Sequence, residues 1–146
     1  MGRKYNDEYP ACERTYVTLR IYHQNLVPSE VSAFLGLRPT ASQQKGKVDL
    51  ADPRRRKFVP KIGGWFLSSR DKVRSKDNRR HLHWLLDKLS RKRSRLLSLQ
   101  RRGFMMGISC FWFSAHGHGG PVLDVELMRR LARLNVEIAF DYYGPR

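Results

Sequence analysis

The chain has few cysteines and no long apolar run, and each shortage excludes a class of protein. Its two cysteines, Cys12 and Cys110, are too few and too far apart for a disulfide framework or a zinc ribbon. No stretch approaches the ~18 consecutive apolar residues that a membrane span needs, and the start MGRKYNDEYPAC lacks the apolar core of a secretory signal. We therefore expect a cytoplasmic protein with reduced cysteines and no membrane partner.

Recognisable catalytic motifs are also missing. The chain has no G-x-S-x-G nucleophile turn, no G-x-x-x-x-G-K phosphate loop and no dinucleotide-binding glycine pattern. A metal nuclease would need clustered carboxylates, whereas the available acids are scattered and mostly explained as turns or caps; they are Asp49, Asp52, Asp124, Glu126 and Asp141. We expect no enzyme, no catalytic residue and no cofactor.

Histidine is present as two H-x-H pairs that resemble metal ligands. On a helix, His81 and His83 would project about 160° apart, so they cannot share a metal ion there. His116 and His118 stand in a glycine-rich turn that could fold around zinc or an anion, but no third ligand has a recognised spacing. A flexible polar loop is the preferred interpretation of this turn, and we predict no metal site.

Acidic residues are scarce as well, and the basic residues are concentrated in one region. The chain has 29 Lys and Arg against 13 Asp and Glu, a formal net charge of +16. Residues 54–102 hold 18 basic and three acidic residues, which gives +15, and the rest of the chain contributes only +1. Concentrated charge costs stability through self-repulsion, so this distribution favours a binding function over mere solubility.

Hydrophobic periodicity predicts alternating strands and helices. Apolar residues recur at every second position in RTYVTLRIYH, GGWFLSS, FMMGISCFWFSA and VEIAFDYYG, which is typical of strands. Helical spacing is found in VPSEVSAFLG, in DVELMRRLARLN and in a long segment after Asn78, the expected cap. Residues 40–60 carry little periodicity and predict a long loop that could contain a short strand.

This order of elements predicts an α+β fold in which helices pack on a mostly antiparallel sheet, a loosely ferredoxin-like sandwich. Residues 1–12 are polar and rich in turn formers, and we expect a flexible N-terminal arm. Residues 13–146 would form a single domain whose middle third, 54–102, is basic.

The long helix after Asn78 has an apolar side and a basic side. At about 100° per residue, one arc of roughly 120° contains Leu82, Leu85, Leu86, Leu89, Leu96 and Leu97. The opposite side carries Lys88, Arg91, Arg95 and Arg102, with Lys92 at its edge. An ordinary solvated helix face mixes charges of both signs, because opposite charges one turn apart stabilise a helix. The lack of acids therefore predicts a surface for a negatively charged partner.

Two residues of this helix do not fit the simple pattern. Trp84 projects on the basic side, where it could stack on a base, unless the 40–60 loop covers it. Arg93 falls inside the apolar arc. Either its side chain extends outward along its methylenes, or the helix breaks near RKRS, and the break is the preferred alternative.

Two further basic runs flank the strand of Trp65. PRRRKF at 53–58 and RDKVRSK at 70–76 add eight cations, which would bind phosphates if they shared one surface with the helix. The predicted nucleic-acid-binding residues are Arg54, Arg55, Arg56, Lys57, Trp84, Lys88, Arg91, Lys92, Arg95 and Arg102. The predicted partner is the backbone of RNA or DNA or a nucleoprotein complex; the alternative is an acidic protein.

Several short motifs resemble a family of small bacterial proteins known as domain of unknown function 4279. They are the L-G-x-x-P-T turn at Leu35 to Thr40, Gly64-Trp65, the H-L-x-x-L-L run from His81, and a closing strand with Asp141 and Tyr142. The resemblance spans the chain from Thr15 onward and implies an α+β domain without established catalytic residues. It supplies no site to transfer, and the RKRSR and PRRRK runs depart from its pattern.

Taken together, these features predict a non-catalytic accessory protein that binds nucleic acid or a ribonucleoprotein through a basic surface. The alternative is an immunity or inhibitor protein that covers an acidic partner protein, since the size of the resembling family also fits that role.

Overall fold

One open sheet of five strands organises the computed structural model, which describes residues 2–145. The strands are β1 (Cys12–His23), β2 (Ala41–Gln43), β3 (Gly63–Ser68), β4 (Met105–Ser114) and β5 (Glu137–Tyr143), in the spatial order β2-β3-β1-β4-β5. Four helices join them: α1 (Pro28–Leu35), α2 (Asn78–Leu89), α3 (Arg93–Arg101) and α4 (Val125–Arg133). A single 3-10 turn, Pro53–Arg55, interrupts the β2–β3 loop.

The strand pairing confirms the predicted fold class. β1 pairs antiparallel with β3 and β4, and β2 pairs antiparallel with β3, whereas β5 is parallel to β4 because α4 carries the chain back across the sheet. The protein is therefore α+β with a mostly antiparallel sheet, and the ferredoxin-like detail is not confirmed. Met1 and Arg146, the end residues of the predicted arm and domain, lie outside the described residues.

The core lies on one face of the sheet, where all four helices pack. In β1, alternation buries Val17, Leu19 and Ile21 completely, and Trp65 and Ile108 from the neighbouring strands join them. The helices contribute the buried leucines Leu82, Leu85, Leu86, Leu89, Leu96, Leu99, Leu127 and Leu131. Among residues 2–145, no helix has both the length and the apolar character needed to cross a membrane.

The other side of the sheet, here called the open face, carries the alternate residues of the same strands. On β1 these are Tyr16, Thr18 and Arg20, all partly or fully exposed. No described helix covers this face, because the buried side chains of the helices belong to the cluster on the opposite side. The fold therefore has two layers, helices and sheet.

The long basic helix is broken, as the preferred alternative predicts. α2 ends at Leu89 and α3 begins at Arg93. Because the second helix starts with a new phase, Leu99 is buried in place of the predicted Leu97, which is only half-buried. The Arg93 guanidinium leaves the apolar side altogether, and its Nε donates to the Arg133 carbonyl at 2.9 Å.

The cap of α2 differs from the prediction by one residue. Asp77, not Asn78, is the cap, and its Oδ1 accepts from the Arg79 backbone N–H at 3.0 Å. A carboxylate also suits the positive end of the helix dipole. Asn78 instead exchanges two hydrogen bonds, each 2.9 Å long, with the backbone of Val122 and so fixes the segment that enters α4.

Candidate nucleic-acid interface

The break between α2 and α3 brings four predicted cations alongside α1. We call Lys88, Lys92, Arg95 and Arg102 the basic seam. The Arg95 and Arg102 guanidinium carbons lie 6.0 and 5.9 Å from the centre of the Phe34 ring, in the middle of α1. Lys92 Nζ approaches Gly36, just after α1, and Lys88 shares a groove with Arg38, two residues further along. The four cations of the seam therefore lie along α1 and along the residues that follow it, from Phe34 to Arg38.

Gly36 permits this close approach. Its backbone φ of +65° ends α1 in the left-handed conformation, with its N–H donating to the Ser32 carbonyl at 2.8 Å. A Cβ on Gly36 would lie 3.1 Å from Lys92 Nζ. A side chain here would therefore strain the backbone and push away the ammonium group.

The basic seam forms no ion pair with an acid in the described part of the chain. Within residues 2–145, none of its four members belongs to an ion pair. The one acid of α2 and α3, Asp87, accepts from Arg130 at 2.8 Å and pairs with Arg3 at 3.5 Å, so it serves the side that faces α4. Among the described residues, no ion pair therefore neutralises the charge of the seam.

Trp84 lies at one end of the seam, beside a groove of about 620 Å³ that we call the Trp84 groove. The indole is half-buried against the core, with Lys88 Nζ 5.5 Å from the centre of its ring. Only Thr40 of the 40–60 loop reaches the groove, so that loop does not cover the ring. The other lining residues are Leu37, Arg38, Pro39, Leu67, Arg70, Asp71, Lys72 and Lys88. Four of these are cations, and Asp71 is the single acid.

His81 fixes the turn that supplies Arg70 and Lys72 to the groove. Its Nε2 lies 2.8 Å from the Ser75 carbonyl, which can only accept, so Nε2 carries the proton. Its Nδ1 then accepts from the Ser69 hydroxyl at 2.6 Å. The ring thus joins the two ends of the turn, and burial lowers its pKa below the usual range of histidine.

His83 points away from His81 and also has a lowered pKa because it is buried. Its Nδ1 accepts from Arg130 at 2.8 Å, and its Nε2 faces Asp124 at 4.0 Å. In the part of the chain that the structure describes, no group of three or more His, Cys, Asp or Glu side chains is placed to hold a metal ion. His116 and His118 are exposed in the loop after β4, with ring centres 5.8 Å apart.

These two buried neutral rings should make the fold sensitive to acid. A histidine whose folded pKa lies below its unfolded value of 6.5 stabilises the fold above that pH, and the contribution is lost as the pH falls below 6.5. We expect the urea midpoint of the wild type to decrease as the pH is lowered from about 7 to about 5.5. The decrease should be smaller in His81→Gln, which lacks one of the two rings. The exposed control His116→Gln should follow the wild type. Equal pH dependence in all three proteins would contradict this assignment.

The predicted cations at 54–57 are not part of the seam. Arg54 pairs with Asp52 at 3.3 Å, and Arg55 donates to Gln43 Oε1 at 3.0 Å while its guanidinium carbon lies 5.1 Å from the centre of the Phe58 ring. Gln43 ends β2, whereas Thr40 at its other end lines the Trp84 groove. The loop therefore lies away from the Trp84 groove, at the end of the sheet where Arg102 contacts Phe104, which stacks on His23 of β1.

The structure thus gathers half of the ten predicted residues: Trp84, Lys88, Lys92, Arg95 and Arg102. Arg56, Lys57 and Arg91 are exposed, and no described hydrogen bond or ion pair joins their side chains to the seam. The sequence prediction omitted Phe34 and Arg38 because both precede the basic third of the chain. It noted Arg70 and Lys72 as cations but did not assign them to the site.

Comparisons with known proteins identify a family for this chain and nothing more specific. No curated protein and no solved structure matches the chain. The model of the family described as "Domain of unknown function (DUF4279)" matches residues 13–145, nearly the whole chain, and confirms the resemblance of the sequence motifs. The chain therefore belongs to that family, DUF4279.

Proposed function

We propose that this protein binds nucleic acid without catalysis, through the basic seam and the Trp84 groove. The observation that carries the proposal is the row of four cations along α1, none of which forms an ion pair among the described residues, while Asp87, the one acid of α2 and α3, pairs with Arg130 and Arg3. Unpaired cations on a low-dielectric surface attract polyanions and raise the rate of encounter with them.

The seam suits a phosphate backbone better than base edges. Its members are flexible Lys and Arg side chains, and Arg95 and Arg102 are held over the Phe34 ring of α1. Contacts to phosphates position a protein on nucleic acid but carry no sequence information. We therefore expect weak sequence preference and strong salt dependence.

Trp84 favours nucleic acid over the alternative partner, an acidic protein. A half-buried indole in a groove with four cations, Lys88 among them, provides both an aromatic surface and charge. Proteins that bind single strands combine these two features, because every base has a flat face that can stack. The exposed Arg56 and Lys57 would form a separate contact at the other end of the sheet.

A salt titration tests this function. Binding of a fluorescent oligonucleotide, followed by anisotropy from about 50 to about 200 mM salt, should weaken with a slope of about −0.7 in log K against log salt for each phosphate contacted in a single strand. Four seam contacts then give a slope of roughly −3. Absence of binding at the low-salt end, or a slope near zero, would refute the proposal.

A second measurement separates nucleic acid from a protein partner. The tagged protein is captured from a lysate with and without nuclease treatment, and the bound material is analysed for both nucleic acid and protein. Nucleic acid that disappears on digestion, together with any protein attached to it, supports the proposal. A single acidic protein that stays bound after digestion would instead support the inhibitor or immunity role.

A further inference from the structure

The open face carries a ladder of stacked aromatic rings. Tyr16 on β1 stacks on Phe111 on β4, with ring centres 4.8 Å apart and planes inclined by 13°. Phe111 in turn lies 5.4 Å from Tyr143 on β5. Register places further aromatic residues on the same face, so that it presents Tyr16, Tyr22, Phe66, Phe111, Phe113 and Tyr143.

This concentration of rings has no role in the core. Tyr16, Phe111 and Phe113 are half-buried, and the described helices all pack on the opposite side of the sheet. Tyr16 is covered by its strand neighbours and by Arg70 of the turn after β3. Folded proteins place most large aromatic side chains where another element covers them. A wide aromatic surface left uncovered marks a place where a ligand or partner packs.

Arginine side chains connect this surface with the Trp84 groove. The guanidinium carbons of Arg14 and Arg70 lie 5.6 and 5.4 Å from the centre of the Tyr16 ring. Arg70 also lines the Trp84 groove. One side chain therefore borders both surfaces. The cavity that contains Arg14, Tyr16 and Arg70 is lined by cations and acids together, the acids being Asp7, Glu8, Glu13 and Asp71.

The charges on the open face differ between its two sides. Arg14 and Arg20 lie on the β1 side, whereas Glu137 and Asp141 of β5 lie on the same face at the far edge. A phosphate backbone would be attracted to the β1 side and repelled from β5. The rings of Tyr16 and Phe111 lie between these two zones, where bases attached to that backbone would reach.

We infer that the nucleic acid is single-stranded, and that its unpaired bases stack on the Tyr16–Phe111 pair after the strand has passed the Trp84 groove and Arg70. This inference rests on the proposed function and narrows its substrate class. A duplex cannot bind in this way, because its bases are already stacked on one another and expose only their edges.

The test compares single and double strands with variants of the ladder. For an oligonucleotide of about 12 nucleotides, wild-type protein should prefer the single strand to the matching duplex by about 10-fold or more. Tyr16→Ala and Phe111→Ala should each weaken single-strand binding by about 5- to 100-fold, while the salt slope stays unchanged because no phosphate contact is lost. Tyr16→Phe keeps the ring and should bind like the wild type.

Two further variants test whether a loss of binding could come from misfolding or from the loss of any exposed ring. Phe111→Leu keeps apolar bulk without a ring and should bind as weakly as Phe111→Ala while retaining the wild-type urea midpoint. Phe140→Ala removes a ring that is 45% exposed on β5 but points to the helix side of the sheet, and its binding should not change.

The two proposals can fail separately. Equal affinity for duplex and single strand, or unchanged affinity in both alanine variants, would overturn this inference, while a normal salt slope would leave the proposed function intact. If the wild type binds neither form, both fail. If Phe111→Ala abolishes self-association in sedimentation without altering oligonucleotide affinity, the open face is an interface between copies of the chain and the inference is wrong.

Discussion

Exchanging Lys92 and Arg95 for glutamate together is expected to weaken nucleic-acid binding by about 100-fold or more at fixed salt. Both side chains belong to the basic seam and take part in no ion pair among the described residues. The double variant removes two phosphate contacts and adds repulsion at the same positions. The slope of log K against log salt should also become shallower by about 1.4 for a single strand.

These two positions allow the charge reversal without damage to the fold. Lys92 is the cap of α3 and Arg95 lies in its first turn. Carboxylates near the start of a helix interact favourably with its dipole, by about 0.3–1 kcal/mol each. The variant should therefore be at least as stable as the wild type, so a loss of binding would not reflect unfolding. A urea titration of both proteins checks this expectation.

A control with the same change in net charge isolates the seam. Arg129 and Arg133 are exposed on α4, which packs mainly against α2 and β5. Glutamate at both positions should weaken binding only by a few-fold, through the general field of the protein. An equally large loss in the control would mean that total charge, and not the seam, governs binding.

Replacing Trp65 by alanine should lower the free energy of unfolding by about 3–5 kcal/mol. The indole is completely buried on β3, within the core cluster, and its Nε1 donates to Ser32 Oγ on α1 at 3.0 Å. The variant loses this packing and leaves a cavity between the sheet and α1. Because α1 forms one wall of the basic seam, the same change should weaken binding even where the protein stays folded.

Ser32→Ala separates the hydrogen bond from the packing. It leaves the ring in place and deprives the buried indole N–H of its acceptor, at a cost of about 1–3 kcal/mol. Urea denaturation of both variants gives the comparison. If Trp65→Ala cost less than Ser32→Ala, the ring would contribute little to the core and this account of α1 would be wrong.

Local periodicity explains why the sheet and most helices could be predicted. Val17, Leu19 and Ile21 alternate with polar or aromatic neighbours, and this period of two specifies a half-buried strand whatever lies around it. Arg93 likewise favoured a break in the long helix, because in a continuous helix this cation would lie inside the apolar arc and would have to extend outward along its methylenes. The new phase of α3, which buries Leu99, depends on the geometry of the turn at residues 90–92 and has no such local pattern.

The candidate site depends on tertiary placement and was only half predictable. Periodicity put Lys88 and Arg95 on one side of a helix, but nothing local indicated that Phe34 would lie beneath Arg95. The loop at 54–57 was expected on the same surface because of its composition alone. Its position follows from β2, a strand of three residues that is too short to leave an alternating pattern.

Because the helices pack on one face of the sheet only, each strand carries residues that hold the helices and residues that face outward. In β1, Leu19 and Ile21 hold the helices, while Tyr16, Thr18 and Arg20 between them face outward. Substitutions at the outward positions should therefore disturb the packing of the helices less than substitutions at the inward ones. A chain with the same skeleton could change what it recognises through the outer half of each strand and keep the inner half that holds the helices.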